Sequence, residues 1–361
     1  MPRRVYRKRS DADWGPDDDT GFATLKDVFM LSRFAGSLAL SLVLAAPNCC
    51  LAAPVPASAG KAATTKPAPP AAGRNDYANR GFVDRIDAGL KHFYAREFKK
   101  AQDEFERALA IIPDNTLAIS FLNAAAAQQP GALDVLTNVE EDAASGAPKN
   151  YVNHVRLGFS YMFQSVAGRD RTQDAREELN SAIALDPDGG AAHVGLGIMR
   201  FNERSANRSK TELLAALRTD ADNVLAREYL GQLYQSDLRD PQRGLSYLID
   251  VPNLVPQYAD INFHIGSLLH DLHQPDAAIG YLNKAIALDA AHVGEAGQHG
   301  YTLLGRIYIE QHDLKSATSI LNAAVANDVD TIYAKTLLGK IKAGDYDKAE
   351  GKSSPEPAKS R

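Results

Sequence analysis

One short pattern of small residues recurs along the chain, and it restricts the possible folds more than any other feature of the sequence. Gly158 and Tyr161 are followed by Ala175, Leu179, Ala182 and Pro187, and Gly89 by Ala101, Phe105, Ala108 and Pro113. Gly305 and Tyr308 are followed by Ala317, Leu321 and Ala324. Together with Leu196-Gly197, Leu230-Gly231, Ile265-Gly266 and Leu338-Gly339, these define a unit of about 34 residues, the period of stacked helix-turn-helix pairs. A glycine in the middle of a helix costs roughly 1 kcal/mol relative to alanine. A chain keeps a series of them where side chains must be absent so that two helices can approach closely, and the recurring alanines place the same demand on the facing helix.

Apolar spacing supports helices throughout. Phe98, Ala101, Phe105, Ala108 and Leu109 fall three and four residues apart, on one face of an amphipathic helix. Breaks come at Pro113-Asp114-Asn115, Asp186-Pro187-Asp188, Asp220-Ala221-Asp222 and Asp289-Ala290, where proline ends a helix and Asp or Asn accepts bonds from the free amides of the next one. No stretch alternates apolar and polar residues with β-branched enrichment, so no sheet is expected.

These residues resemble the tetratricopeptide repeat family over about residues 82–349. The small residue of the family's first helix recurs at Ala88-Gly89, Leu157-Gly158 and the pairs named above, with an aromatic three residues later at Tyr161, Tyr234 and Tyr308. Its second-helix alanines correspond to Ala101, Ala175, Ala278 and Ala317, and then to Ala108, Ala182, Ala216, Ala285 and Ala324. The resemblance implies an all-α, right-handed superhelical solenoid of antiparallel helix pairs, with about six clear repeats. Residues 116–149 fill one degenerate repeat without the small-residue pattern, and a truncated repeat begins at Thr331. Extra residues around Gly168–Thr172 and Gly294–Gln298 lengthen two of the units.

The flanks differ in character. Met30-Leu31-Ser32-Arg33, the apolar run Phe34 to Ala46 and the small residues Ala52 and Ala53 before Pro54 form the pattern of a secretory signal peptide, over residues 30–53. The apolar run is shorter than the roughly 20 residues a membrane span needs, although an uncleaved segment would serve as an anchor. Residues 1–29 form an N-terminal extension that translation from Met30 would leave out; Arg3-Arg4 within it is too far from the apolar run for a twin-arginine signal. Residues 54–76 are a Pro/Ala-rich linker, 77–349 the solenoid and 350–361 a disordered tail. Both cysteines, Cys49 and Cys50, precede the repeats, so no disulfide and no Cys-based zinc site is available to the solenoid.

The function classes narrow accordingly. A formal net charge of −5 does not draw the chain towards nucleic acid, and the dense basic run Arg3–Arg9 lies outside the repeats. There is no P-loop, no dinucleotide-binding glycine motif, no His-Glu-x-x-His and no nucleophile elbow. His264, His270 and His273, with Asp260 and Asp271, approach a metal set, but no third ligand shares the face of His270 and His273, so neither metal nor cofactor is expected. By the family resemblance, first helices line a concave groove. Its early positions would be Val155, Phe159, Met162, Phe163, Val194, Ile198 and Phe201, and its later ones Glu228, Gln232, Gln235, Asp260, His264, Ser267, His270, Arg306 and Glu310. The expected activity is non-enzymatic: a scaffold or adaptor of the bacterial cell envelope that holds a protein or peptide in this groove, with Phe159, Phe163 and Phe201 as anchors. An accessory subunit that docks an enzyme in an envelope assembly, such as polysaccharide export or protein maturation, is the alternative.

Overall fold

The computed structural model describes residues 74–346, and every regular element among them is helical. After a 3₁₀ turn at Asp76–Ala78 the helices come in pairs: α1 (Arg80–Tyr94) with α2 (Phe98–Ile111), α3 (Thr116–Ala127) with α4 (Ala132–Gly146), and α5 (Tyr151–Val166) with α6 (Thr172–Leu185). They continue as α7 (Gly190–Asn202) with α8 (Ala206–Thr219), and α9 (Val224–Ser236) with α10 (Pro241–Leu248) and a single turn, α11 (Val251–Leu254). The series ends with α12 (Ala259–Asp271) and α13 (Pro275–Leu288), α14 (Glu295–Glu310) and α15 (Leu314–Ala326), and an unpaired α16 (Thr331–Lys342). The architecture is the all-α repeat solenoid expected, with α3 and α4 as the degenerate pair and α16 as the truncated unit. The flanking segments 1–73 and 347–361, with the signal-like segment, most of the linker and the tail, lie outside the described residues.

The recurring glycines do what their spacing implied. A Cβ on Gly89 would stand 2.6 Å from Phe105, and on Gly158, Gly197, Gly231, Gly266 and Gly305 it would stand 2.6–2.8 Å from Leu179, Leu213, Leu248, Leu282 and Leu321. Each pair is thus locked by one large side chain of the second helix seated on the bare backbone of the first. Gly339 of α16 has nothing within 4 Å, because the described chain offers no second helix there.

The turns within pairs follow one design that the sequence conceals. Arg96, Arg204, Arg239, His273 and His312 all adopt left-handed backbone, with φ between 55° and 61°. In four of these turns the next amide reaches back to close the helix: Glu97 N–H to His92 O, Ser205 to Arg200, Gln274 to Leu269 and Asp313 to Tyr308, at 2.8–2.9 Å. This is a Schellman ending, in which glycine is usual and a larger residue carries a strain of about 1–2 kcal/mol. Between pairs, Asn115 caps α3 through Ala118 N–H as its signal implied, whereas α9 is capped through Ala226 N–H by Asn223, one residue past the expected break, and α7 begins after Gly189 with no side-chain cap.

Successive first helices (α1, α3, α5, α7, α9, α12, α14) contact one another, whereas second helices of neighbouring pairs make no comparable contacts, so the stack curves with its first helices inside. The curvature is tight enough to bring the first two pairs against the fifth and sixth. Tyr94 at the end of α1 donates to Asp260 Oδ2 of α12 at 3.3 Å, and Arg96 Nε donates to Ala291 O at 3.0 Å. The Thr116 hydroxyl of α3 donates to Asn223 Oδ1 at 3.1 Å, and the Phe121 ring meets Tyr258 edge-on at 5.3 Å. Every residue of α3 from Thr116 to Ala126 is consequently buried, on all sides of the helix. A helix with apolar residues on all its sides belongs inside a structure, which is why α3, despite Thr116, Ser120 and Asn123, lacks the one-sided pattern of the others. The linker expected to run to residue 76 ends earlier: Arg74 N–H bonds Thr219 O, and Asp76 is buried against Asn115.

The glycine contacts yield a paired expectation. Gly231→Val overpacks against Leu248 and lowers stability by about 1–3 kcal/mol. Gly280→Ala, on the exposed face of α13 with nothing within 4 Å, raises it by about 0.5–1 kcal/mol. Urea unfolding followed by circular dichroism measures both.

Candidate binding face

The two halves of the expected groove differ in the structure. Val155, Phe159, Met162, Val194, Ile198 and Phe201 are all buried in the main core cluster. Phe159 has no exposed surface and packs against α7, where a Cβ on Gly195 would lie 3.2 Å from its ring. Phe201 meets Tyr229 edge-on at 5.3 Å. These six residues join adjacent repeats rather than facing a partner; apolar side chains on closely packed first helices gain more by burying each other than by waiting for a ligand. Phe163 is half-buried against the same core.

The polar half forms a continuous belt over α9, α12 and α14. Gln232 Nε2 lies 3.0 Å from His264 Nε2, Gln235 Nε2 donates to Ser267 Oγ at 2.8 Å and to Asp271 Oδ2 at 2.6 Å, and His270 Nε2 meets Glu310 Oε2 at 2.6 Å. Arg306, exposed, lies 3.9 Å from the Glu310 carboxylate one turn on. Gln232, Gln235, Ser267 and His270 are half-buried, whereas Asp271, Arg306 and Glu310 are exposed. Glu228 and His264, also expected on this face, lie beneath it: Glu228 Oε2 accepts from the Tyr258 hydroxyl at 2.5 Å, and its Oε1 is 3.4 Å from His264 Nε2. His273 sits in the turn after α12, away from a metal geometry. Among the described residues no group of three or more His, Cys, Asp or Glu side chains could hold a metal ion, and no helix is long and apolar enough to cross a membrane.

Below the belt lies a set of carboxyls that the sequence reading did not assemble. Asp260, fully buried, accepts Ala296 N–H at 2.9 Å; Asp289 accepts Val293, Gly294 and Gly297 N–H at 2.8–2.9 Å. Burial holds Asp260 well above the usual carboxylate range, and Asp289 and Glu295 add repulsion. Burial likewise pushes Asp289 up to about 6, against its three amide donors. It pushes Glu295 up to about 8, although its side chain keeps 19% of its surface exposed and water therefore takes back part of that shift. The available signal was Asp260 at the start of a first helix, among Ala259, Ile261, Phe263 and Ile265.

A second recurrence pins the loops between pairs. Nδ1 of His154 meets Glu178 at 2.6 Å while Nε2 meets Pro148 O at 3.0 Å; Nδ1 of His193 meets Glu212 at 2.8 Å while Nε2 meets Pro187 O at 3.1 Å. One repeat later Arg227 Nε donates to Ala221 O at 2.8 Å, from the same place on its helix. With acceptors at both nitrogens, only the imidazolium can donate twice. For His154, burial opposes the charge, but the Glu178 and Pro148 bonds outweigh it and raise the pKa; for His193 the Glu212 bond leads and burial opposes.

Residues 259–292, which comprise α12, α13 and the turn towards α14, match the profile of the tetratricopeptide repeat family. The matched unit is one of a series with the same glycine contact and helix order, and the fold is an all-α solenoid of the tetratricopeptide-repeat type. No curated protein matches it. Solved structures similar to parts of it include YrrB, described as a tetratricopeptide repeat protein with an unusual peptide-binding site, at 18% identity over 55% of this chain and 97% of that one, with a TM-score of 0.44. TTC0263 of Thermus thermophilus matches at 18% identity over 52% and 99%, with a TM-score of 0.39. PilF of Pseudomonas aeruginosa matches at 15% identity over 73% and 98%, with a TM-score of 0.44.

The two histidine pins set a pH dependence. Their pKa values are raised in the folded state, so their contribution is complete below the unfolded-state value of about 6.5 and is lost as pH rises through the folded one. In the double variant His154→Gln/His193→Gln the difference in stability from the wild type therefore shrinks as pH rises from about 5 to about 8. Denaturant midpoints across that range measure it.

Proposed function

We propose that this chain is a non-enzymatic scaffold of the bacterial cell envelope that holds a protein or peptide on the polar inner face of its later repeats. The observation that carries the reading is the belt of Gln232, Gln235, Ser267, His270, Asp271, Arg306 and Glu310. It runs across three successive first helices, which fix these side chains on rigid backbone. Hydrogen bonds within the belt already orient the amides and carboxylates, so a partner bound there loses little affinity to ordering them. Recognition by such a face rests on polar side chains and not on Phe159 and Phe201, which are buried inside the core. Asp271 and Glu310 give the belt acidic character beside Arg306, which favours a partner offering amide and cationic donors over one ending in an acidic tail. The envelope assignment is supported by the signal-like segment 30–53, which lies outside the described residues.

Cross-linking in intact cells, followed by identification of the captured protein, tests the reading with the variant Gln235→Ala/Arg306→Ala/Glu310→Ala. The expected outcome is loss of the main partner with an unchanged helical circular dichroism spectrum; undiminished capture would remove the belt from consideration. Calorimetry with an acidic chaperone-tail peptide is expected to show no micromolar binding. Cell fractionation with N-terminal sequencing is expected to find, in the envelope, a mature protein that begins after Ala52 or Ala53.

A further inference from the structure

We infer that the free face of α16 docks one helix of another protein, an amphipathic helix of the pattern Ala-x-x-Glu-Leu-x-x-Ala, in the place of the second helix that this unit lacks. The six complete glycine contacts define what such a helix must carry. Phe105, Leu213, Leu282 and Leu321 each stand sixteen residues after the glycine on which they sit. An alanine comes four residues before the seated side chain and another three after it, at Ala101 and Ala108, Ala175 and Ala182, Ala278 and Ala285, and Ala317 and Ala324. All of these alanines are buried. In three pairs a charge contact is added. The residue four before the glycine is basic, and it holds the glutamate directly before the seated side chain: Arg85 with Glu104 at 2.9 Å, His154 with Glu178 at 2.6 Å, and His193 with Glu212 at 2.8 Å.

The first-helix half of this contact is present on α16 with nothing seated on it. Ala334, Leu337 and Leu338 pack into the small core that α16 shares with Leu321 and Ala324 of α15. Gly339 is exposed, and a Cβ there would meet nothing within 4 Å. Ile332 lies two turns before Gly339 on the same line of the helix, with Lys335 and Lys342 along one flank and Thr336 and Ala343 along the other. Ile332 is 76% exposed, more than any other large apolar residue described. Lys335 stands four residues before Gly339, the place that Arg85, His154 and His193 occupy in their pairs. Lys335, Lys340 and Lys342 are exposed, and none of them makes an ion pair among the described residues.

Charge and sequence together select the occupant. A second copy laid against this face would set the same three lysines against each other. Residues 347–361 contain no leucine, isoleucine, valine or aromatic residue, and the position sixteen after Gly339 is Pro355, which has no side chain to seat there and opposes a helix. A helix from a different protein meets both demands, with leucine or phenylalanine on Gly339 and glutamate on Lys335. The apolar contact supplies most of the affinity, while the exposed ion pair chiefly fixes direction and register. No belt residue lies on α16, so this surface is separate from the belt.

The probe is a fluorescent peptide of this chain's own α6, residues 172–185, which carries Ala175, Glu178, Leu179 and Ala182. A staple between positions 177 and 181, both on the exposed side, holds it helical, since a free helix of this length is marginal in water. Fluorescence polarisation with the full-length protein is expected to show saturable binding. Leu179→Ala in the peptide is expected to weaken it by about tenfold or more. Gly339→Leu in the protein, which fills the seat and has open space to fold into, is expected to do the same. Lys335→Glu is expected to weaken binding by about twofold to fivefold, and the peptide variant Glu178→Lys to restore it on that background. Undiminished binding to Gly339→Leu would overturn the inference, as would no binding at about 1 mM peptide. Binding that appears only after removal of residues 347–361 would also overturn it, in favour of the chain's own tail. A dimer in analytical ultracentrifugation that Gly339→Leu abolishes would overturn it in favour of a second copy.

Discussion

Everything in this structure depends on one contact, made over and over: a leucine or phenylalanine of the second helix seated on the bare backbone of a glycine in the first. The contact brings two helices closer than any side chain would allow and fixes their relative rotation. Rotation, in turn, decides which residues of the first helix look inward. Because a large side chain occupies the same place in six pairs, the pairs are nearly alike and stack with a regular bend. The curvature, the inner polar belt and the closed seam all follow from that regularity.

A stack that bends steadily must either spiral past itself or meet itself, and here the first two pairs meet the fifth and sixth. The meeting changes the chemistry of the early repeats. Apolar inner faces there no longer wait for a ligand, since α3 and its neighbours occupy the space; polar inner faces persist only further along, where the side chains have room to keep their water. The same meeting drives Asp260, Asp289 and Glu228 into a place that a solenoid with an open groove would have left wet.

Helix pairing was legible in the sequence because it is a local demand: glycine, alanine and turn residues recur at fixed spacings and each carries its own physical reason. The places of Gln232, Gln235, Ser267 and Glu310 on the first helices were legible for the same reason, as they follow from the repeat. Phe159 and Phe201 show the limit. Whether an inward-facing aromatic meets a partner or its own chain depends on how the stack curves over more than a hundred residues, and no local spacing encodes that. The clue to closure was α3, apolar on every side apart from Thr116, Ser120 and Asn123, which reads as a degraded repeat until its surroundings are known. The left-handed turns were hidden because arginine and histidine stand where glycine would have announced them.

Arg74 enters the fold at the seam, its amide on Thr219 O and its neighbour Asp76 against Asn115. Any tension applied to the chain ahead of residue 74 would therefore reach the ring at its joint, before it reached a glycine-locked pair. The point where the described chain enters the fold thus coincides with the joint of the ring, so a pull on residue 74 acts on the closure itself.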